Sequence, residues 1–335
     1  MTTSAPLIGI PEAPVPDGGV GEWYLGADGA RLRAALFPAK GLARGSVVLS
    51  PGRTEPLDKY FEVIGELQDR GFAVLTHDWR GQGLSARFLP DRIRGHAEGS
   101  GPFLDDYRRL LDHFEPRLPK PWIQVAHSMG GCLALLALAK GETRFVGSAL
   151  SAPMLGIVTN DFGYAFARAL TFGASHLGLA TRYLFGDASD PLAISFEKDR
   201  IAHDRARWDR FRAQLAACPD LVIGNLTWGW LDFAFSAGAF LRRSSATTRI
   251  KTPVLMVASG DDDRVLTADS RKVARRLPNC RYVEIPESWH EILMETDDIR
   301  AIWWREFDAF VAPLAPTQTA PFSPPGEGGE RMRAG

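Results

Sequence analysis

Ala126-His127-Ser128-Met129-Gly130, with Gly131 behind it, is the stretch on which the reading of this chain turns. An apolar run over 122–125 leads into it, and Cys132-Leu133-Ala134-Leu135-Leu136-Ala137-Leu138 continues it as a helical pattern. Strand, sharp turn, helix is the context that lifts a serine hydroxyl off a sheet and exposes it as a nucleophile. Such a turn is strained, so the positions two before and two after the serine must carry almost no side chain. Gly130 meets that demand and Ala126 nearly does, departing from G-x-S-x-G at its first glycine. A serine that merely caps a buried helix is the competing reading.

Outward from this turn, short apolar runs alternate with amphipathic segments. Residues 22–25 and 32–37 flank Asp28-Gly29, a hairpin signal. Residues 47–49, 72–76 and 145–150 read as strands, and 60–68 and 103–114 as helices. The rhythm breaks at Ala152-Pro153, beyond which only helical patterns occur, over 162–170, 204–217 and 228–241. It resumes with strand 253–258, helix 268–277, strand 282–285 and helix 298–310. Alternation of this kind predicts an α/β fold with a mostly parallel central sheet covered by helices. A helical insertion would sit over the carboxyl ends of the strands, where open α/β sheets bind ligands. The expected organisation is one catalytic domain from 21–153 and 247–313, with a helical cap over 154–246. The Pro- and Gly-rich ends, 1–20 and 314–335, are expected to be disordered.

The 335 residues carry a net charge of −1 at pH 7, which gives no electrostatic case for a nucleic-acid partner. Cys132, Cys218 and Cys280 lie too far apart in sequence to suggest a disulfide framework or a metal cluster. That usage fits a reducing, cytoplasmic compartment. No secretory leader is expected from Met1-Thr2-Thr3-Ser4-Ala5-Pro6, and no apolar run approaches the roughly 20 residues of a spanning helix.

A serine hydroxyl needs an adjacent base, itself held by a third group. In triads built on a strand-to-helix turn the chain order is Ser, then Asp or Glu, then His. His176, His203 and His290 follow Ser128, and the first two fall inside the expected cap. His290, in the loop after the last strand, is therefore the expected base. The acid belongs just past the strand ending at Ala258, where Asp261, Asp262 and Asp263 stand in a row. Two backbone N–H donors must receive the oxyanion. Met129 follows the nucleophile directly. In Ser50-Pro51-Gly52-Arg53 the proline has no N–H, so Arg53 is the expected second donor. Asp78-Trp79-Arg80-Gly81-Gln82-Gly83-Leu84-Ser85 lacks the third glycine of a dinucleotide loop and reads as structural. His127 reads as support for the serine turn.

Taken together, these segments resemble the lysophospholipase L2 and monoacylglycerol lipase-like branch of the serine α/β-hydrolases, over residues 22–312. The resemblance rests on the motifs at 50–53, 78–85, 127–131, 260–265 and 289–293, in that order. It implies Ser128 as nucleophile, His290 as base, and Arg53 and Met129 as oxyanion donors. By the Gly-x-x-Asp-Arg-Val pattern it implies Asp263 as the acid, with Asp262 in reserve. Many relatives have His-Gly where this chain has Pro51-Gly52, and Gly where it has Ala126.

The implied reaction is two-step ester hydrolysis through an acyl-enzyme, with no metal or organic cofactor. An aromatic cap sequence, with Trp228, Trp230, Phe233 and Phe235, suits an acyl chain, so the expected substrate is a lysophospholipid or monoacylglycerol. An apolar cap face also suits transient contact with a membrane surface. A short-chain esterase or a proline-type aminopeptidase on the same triad is the alternative reading, and a non-catalytic binding module a third.

Overall fold

Asp28 and Gly29 build the first corner of the sheet. The Asp28 carboxylate accepts from Ala30 N–H at 3.0 Å, and Gly29 takes a positive φ of 79° that a side chain would resist. The turn joins β1 (Val20–Leu25) to β2 (Arg31–Phe37) as an antiparallel pair. The structure, a computed structural model, describes residues 4–159, 163–184 and 192–317.

Six further strands complete the sheet: β3 (Gly45–Ser50), β4 (Phe72–His77), β5 (Trp122–His127), β6 (Phe145–Ser151), β7 (Val254–Ser259) and β8 (Cys280–Ile285). Their order is β1-β2-β4-β3-β5-β6-β7-β8. The β2–β4 pair is antiparallel and every pair from β4 to β8 is parallel. Each residue of β3, β4, β5 and β7 is buried, which is why these strands read as unbroken apolar runs and not as alternating ones.

Helices cover both faces. On one side, α2 (Gly101–Phe114), α3 (Ser128–Ala139) and α8 (Thr267–Ala274) pack through Leu110, Leu133 and Val273. On the other, α1 (Phe61–Asp69) and α9 (Asp297–Val311) pack through Ile64, Leu67, Trp303 and Phe307. The expected insertion follows β6 and carries α4 (Tyr164–Ala174), α5 (Phe196–Asp199), α6 (Arg205–Ala217) and α7 (Trp228–Arg243). Among the described residues it contains isolated bridges but no strand. Its first helix begins at Tyr164 and runs to Ala174, past the expected end at 170. Phe162, where that helix was expected to start, lies outside the described residues.

The N-terminal segment corrects the sequence reading. Residues 4–20 were expected to lack structure, yet Ala5 N–H donates to Gly21 O at 2.8 Å and Ile8 N–H to Asp58 Oδ1 at 2.8 Å, while Ala5 and Ala13 are buried. The cause is β1, an edge strand whose outer backbone groups accept a partner regardless of that partner's composition. At the other end Ala315 is fully buried and its carbonyl accepts from Arg44 Nε at 2.6 Å. The remainder of the expected tail, 318–335, lies outside the described residues. Among the described residues no helix is long and apolar enough to cross a membrane.

Candidate active site

The carboxyl ends of β3, β5 and β7 bring the site together, because the loops leaving them converge above the sheet. Ser128 stands at the β5–α3 junction with φ of 49°, a left-handed conformation rare for a residue with a side chain. The strain is held by close packing. A Cβ at Gly130 would lie 2.4 Å from both Ser50 O and Pro51 O, and one at Gly131 would lie 2.8 Å from Pro153 Cβ. Glycine at 130 thus lets the helix start press against the β3 loop. Ala126 is fully buried on β5.

His290 connects the serine to an acid. Its Nε2 lies 2.8 Å from Ser128 Oγ and its Nδ1 lies 2.8 Å from Asp262 Oδ2. The other Asp262 oxygen accepts from the N–H groups of Arg264 at 2.8 Å and Val265 at 2.9 Å. Asp263, the acid implied by the motif, is not brought to the histidine. Its side chain is 45% exposed and pairs with Arg264 Nε at 3.2 Å, whereas the Asp262 side chain has no exposure. The turn decides between them. Using Asp262 Oδ1 as its internal cap points Asp262 inward and leaves the next side chain facing water.

Burial opposes the charged forms of both partners. It pushes Asp262 up, but His290 and the two N–H donors outweigh it and hold the carboxyl below its usual range. It pushes His290 down, but the Asp262 charge and hydrogen bond leave the imidazole above its ordinary value.

The base is held by residues to which the sequence pattern assigned no role. Ser259 Oγ donates to Trp289 O at 2.6 Å, Trp289 N–H to Glu295 Oε1 at 2.8 Å, and Glu291 N–H to Ile201 O at 2.8 Å. His203 stacks on Trp289 at 3.8 Å between ring centroids and meets Glu295 through Nδ1 at 2.8 Å. It therefore buttresses the loop. His176 is exposed and bonds the carbonyl of Phe172 in its own turn.

In the loop after β3, Glu55 Oε2 accepts from Gly52 N–H at 2.5 Å and Gln82 Oε1 from Thr54 N–H at 2.6 Å. Trp79 Nε1 donates to Pro51 O at 2.7 Å. Thr54, at φ of 65°, is fixed in a left-handed conformation by these ties. Among the described residues the N–H of Arg53 meets no acceptor, which leaves it free to donate. Met129 N–H sits in the first turn of α3, where helical N–H groups have no partner within the helix. The expected oxyanion donors thus stand on two elements pressed together at Gly130.

Behind this loop lies a buried charge network. Lys59 Nζ donates to Glu55 Oε1 at 2.9 Å and to Glu291 Oε1 at 2.5 Å, and Tyr60 OH donates to Glu55 Oε2 at 2.7 Å. Burial works against the Glu55 charge, but the Lys59 ammonium and the hydrogen bonds from Lys59 and Tyr60 prevail and hold its carboxyl well below the usual range. Glu291 is pushed up to about 7 by burial, against the pull of Lys59. His127, whose Nδ1 lies 3.2 Å from Ser151 O, is pushed down to about 4 by burial, which keeps it neutral at pH 7. That agrees with a supporting role.

The 78–85 motif is likewise a scaffold. Asp78 accepts from Leu57 N–H and Leu84 N–H, each at 2.8 Å, and pairs with buried Arg33 at 2.7 Å. A Cβ at Gly83 would overlap that carboxylate at 2.1 Å. The functional signal missed there was Gln82, which ties the Arg53 loop in place. Glu55 was missed outright, although a carboxylate four residues before Lys59 in a glycine loop was its trace.

Residues 41–297 match the family described as serine aminopeptidase, S33. Among curated proteins, lysophospholipase L2 of Escherichia coli (strain K12) is 29% identical over 290 residues, 83% of each chain. Rat monoglyceride lipase is 28% identical over 137 residues, 38% of this chain and 41% of its own. Among solved structures, a soluble variant of monoglyceride lipase from Saccharomyces cerevisiae superposes with a TM-score of 0.73 at 20% identity, covering 93% of this chain and all of that one. A thermostable carboxyl esterase from Bacillus coagulans gives 0.69 at 18% identity, covering 89% and 99%. The fold is that of the α/β-hydrolases.

Proposed function

The chain belongs to the serine aminopeptidase S33 family, and on that footing we propose that it is a serine hydrolase cleaving the carboxylic ester of a single-chain lipid. The observation that carries this reading is the Ser128–His290–Asp262 chain, with two contacts of 2.8 Å on a serine held at positive φ. His290 Nε2 takes the Ser128 proton as Oγ attacks the acyl carbon, while Asp262 keeps the other ring nitrogen protonated. The oxyanion is received by the N–H groups of Arg53 and Met129. The ester C–O bond breaks as His290 returns the proton to the leaving alcohol. Water, deprotonated by the same imidazole, then releases the fatty acid.

Substrate class is read from the relatives and from the inserted helices. The E. coli relative is named a lysophospholipase and the rat relative a monoglyceride lipase, both acting on lipids with one acyl chain. In the insertion, Trp230, Phe233 and Phe235 are buried against the domain, whereas Phe166, Leu170, Phe172, Leu177 and Leu179 are exposed. The first group packs into the core cluster that also holds Met129. The second gives the insertion an apolar outer face, suited to reversible contact with a membrane surface, and liposome flotation tests it. The three free cysteines, Cys132, Cys218 and Cys280, support a cytoplasmic location, with contact at the inner face of the membrane.

The experiment is fatty-acid release from lysophospholipid and monoacylglycerol of matched chain length, with Ser128→Ala as blank. Release from either supports the lipid reading. Cleavage confined to small esters or to aminoacyl substrates would overturn it and keep the triad.

A further inference from the structure

Arg53 brings a cation to the site that no carboxylate meets among the described residues. One guanidinium nitrogen, Nη2, donates to Gly224 O on the inserted segment, and Cζ lies 5.3 Å from the Trp230 ring centroid. Its Nε is buried with no hydrogen-bond partner, and among the described residues no carboxylate pairs with it. The other charge acting on it is Arg264, a cation already paired with Asp263 at 3.2 Å and Asp199 at 3.5 Å. Gly95 makes room for the guanidinium, since a Cβ there would lie 2.6 Å from Nη2. Burial, with Arg264 adding to it, pushes the guanidinium down to about 10.

A desolvated cation is costly unless paired. Arg87, another arginine without a carboxylate, spends its donors on three carbonyls, those of Gly81, Gly83 and Asp220. Arg53 has one. In the proposed reaction its own N–H also faces the oxyanion, and its side chain runs from there to Gly224 and Trp230 of the inserted segment. In a lysophospholipid the phosphate lies one glycerol unit from the ester. In a monoacylglycerol only a hydroxyl stands there.

We propose that the Arg53 guanidinium recognises the phosphate of a lysophospholipid, and so selects that substrate over a monoacylglycerol of the same chain. The planar fork matches phosphate oxygens, and Trp230 holds its plane from one side. The inference rests on the acyl-enzyme reading of Ser128, because it takes the ester to be seated at Arg53 N–H.

The test compares kcat/KM for a lysophosphatidylglycerol and a monoacylglycerol, with one acyl chain short enough to keep both monomeric. The readout is the ratio between the two substrates within each protein, which cancels any damage to the loop common to both. The wild type is expected to favour the lysophospholipid, and Arg53→Met to lower the ratio roughly 10- to 100-fold, as for the loss of a charge-assisted hydrogen bond. Arg53→Lys is expected to restore part of it. A ratio unchanged in Arg53→Met overturns the proposal, and shows a guanidinium that serves every ester alike. Should that variant fail to fold, wild-type preference for the monoacylglycerol overturns it equally. Stronger competition by inorganic phosphate than by glycerophosphoglycerol would overturn the headgroup assignment in favour of a free-anion site. Fluorophosphonate labelling of Ser128, read in parallel, tells failure of this inference from failure of the hydrolase reading.

Discussion

Asp262 reaches His290 with one oxygen, at 2.8 Å from Nδ1, while its other oxygen is already held by the N–H groups of Arg264 and Val265. The acid is thus fixed by its own turn before it meets the base, and the imidazole is oriented by a group that cannot swing away. Asp263, one residue on, belongs to Arg264 and to solvent.

Replacing these neighbours separates their roles. Asp262→Asn is expected to lower kcat by about 10³–10⁴ through the wrong imidazole tautomer. Asp263→Asn should retain most activity. Steady-state rates on a soluble ester check both, and the reverse order of effects would return the acid role to Asp263.

The pH profile follows from the sign of the His290 shift. The base works only when neutral, and Asp262 with Glu291 raises its pKa, so activity should fall on the acid side with a midpoint above the ordinary value of about 6.5. Glu291→Gln removes one raising charge and should move that midpoint down. A kcat/KM profile of the two proteins gives the answer. A midpoint at or below the ordinary value, unmoved in the variant, would contradict it.

Glu55 is expected to act on the oxyanion loop from behind. Glu55→Ala leaves Gly52 N–H, Tyr60 OH and Lys59 without their shared acceptor. Loss of one partner of a buried ion pair costs about 3–5 kcal/mol, read as a lower urea midpoint. A displaced Arg53 N–H should cost kcat up to about 10², with less change in KM, by analogy with a lost oxyanion donor.

Glycine positions give a control on packing. Gly130→Ala drives a methyl to 2.4 Å from two carbonyl oxygens and should destabilise by about 1–3 kcal/mol while depressing activity. Gly65→Ala, in α1 with nothing within 4 Å of the new methyl, should stabilise by about 0.5–1 kcal/mol. Thermal melts of both variants check the pair.

Periodicity made the sheet and helices legible, because buried parallel strands and amphipathic helices leave local patterns. The hairpin at Asp28-Gly29, the serine turn and the His290 loop were all where local chemistry put them. What escaped was set by contacts distant in sequence. Whether Asp262 or Asp263 faces His290 depends on a side-chain cap that three consecutive carboxylates do not reveal. Lys59, paired with Glu55, meets Glu291 across 232 residues of chain. The N-terminal segment, read as loose from its Pro and Gly content, is ordered by a sheet edge that composition does not encode.

Covalent catalysis by Ser128 is tested most directly by mass spectrometry of the protein acid-quenched during turnover of a lysophospholipid. An acyl adduct is expected on the peptide containing Ser128, absent in Ser128→Ala, which should release no fatty acid. Sustained fatty-acid release by Ser128→Ala, with no adduct on that peptide in the wild type, would contradict it.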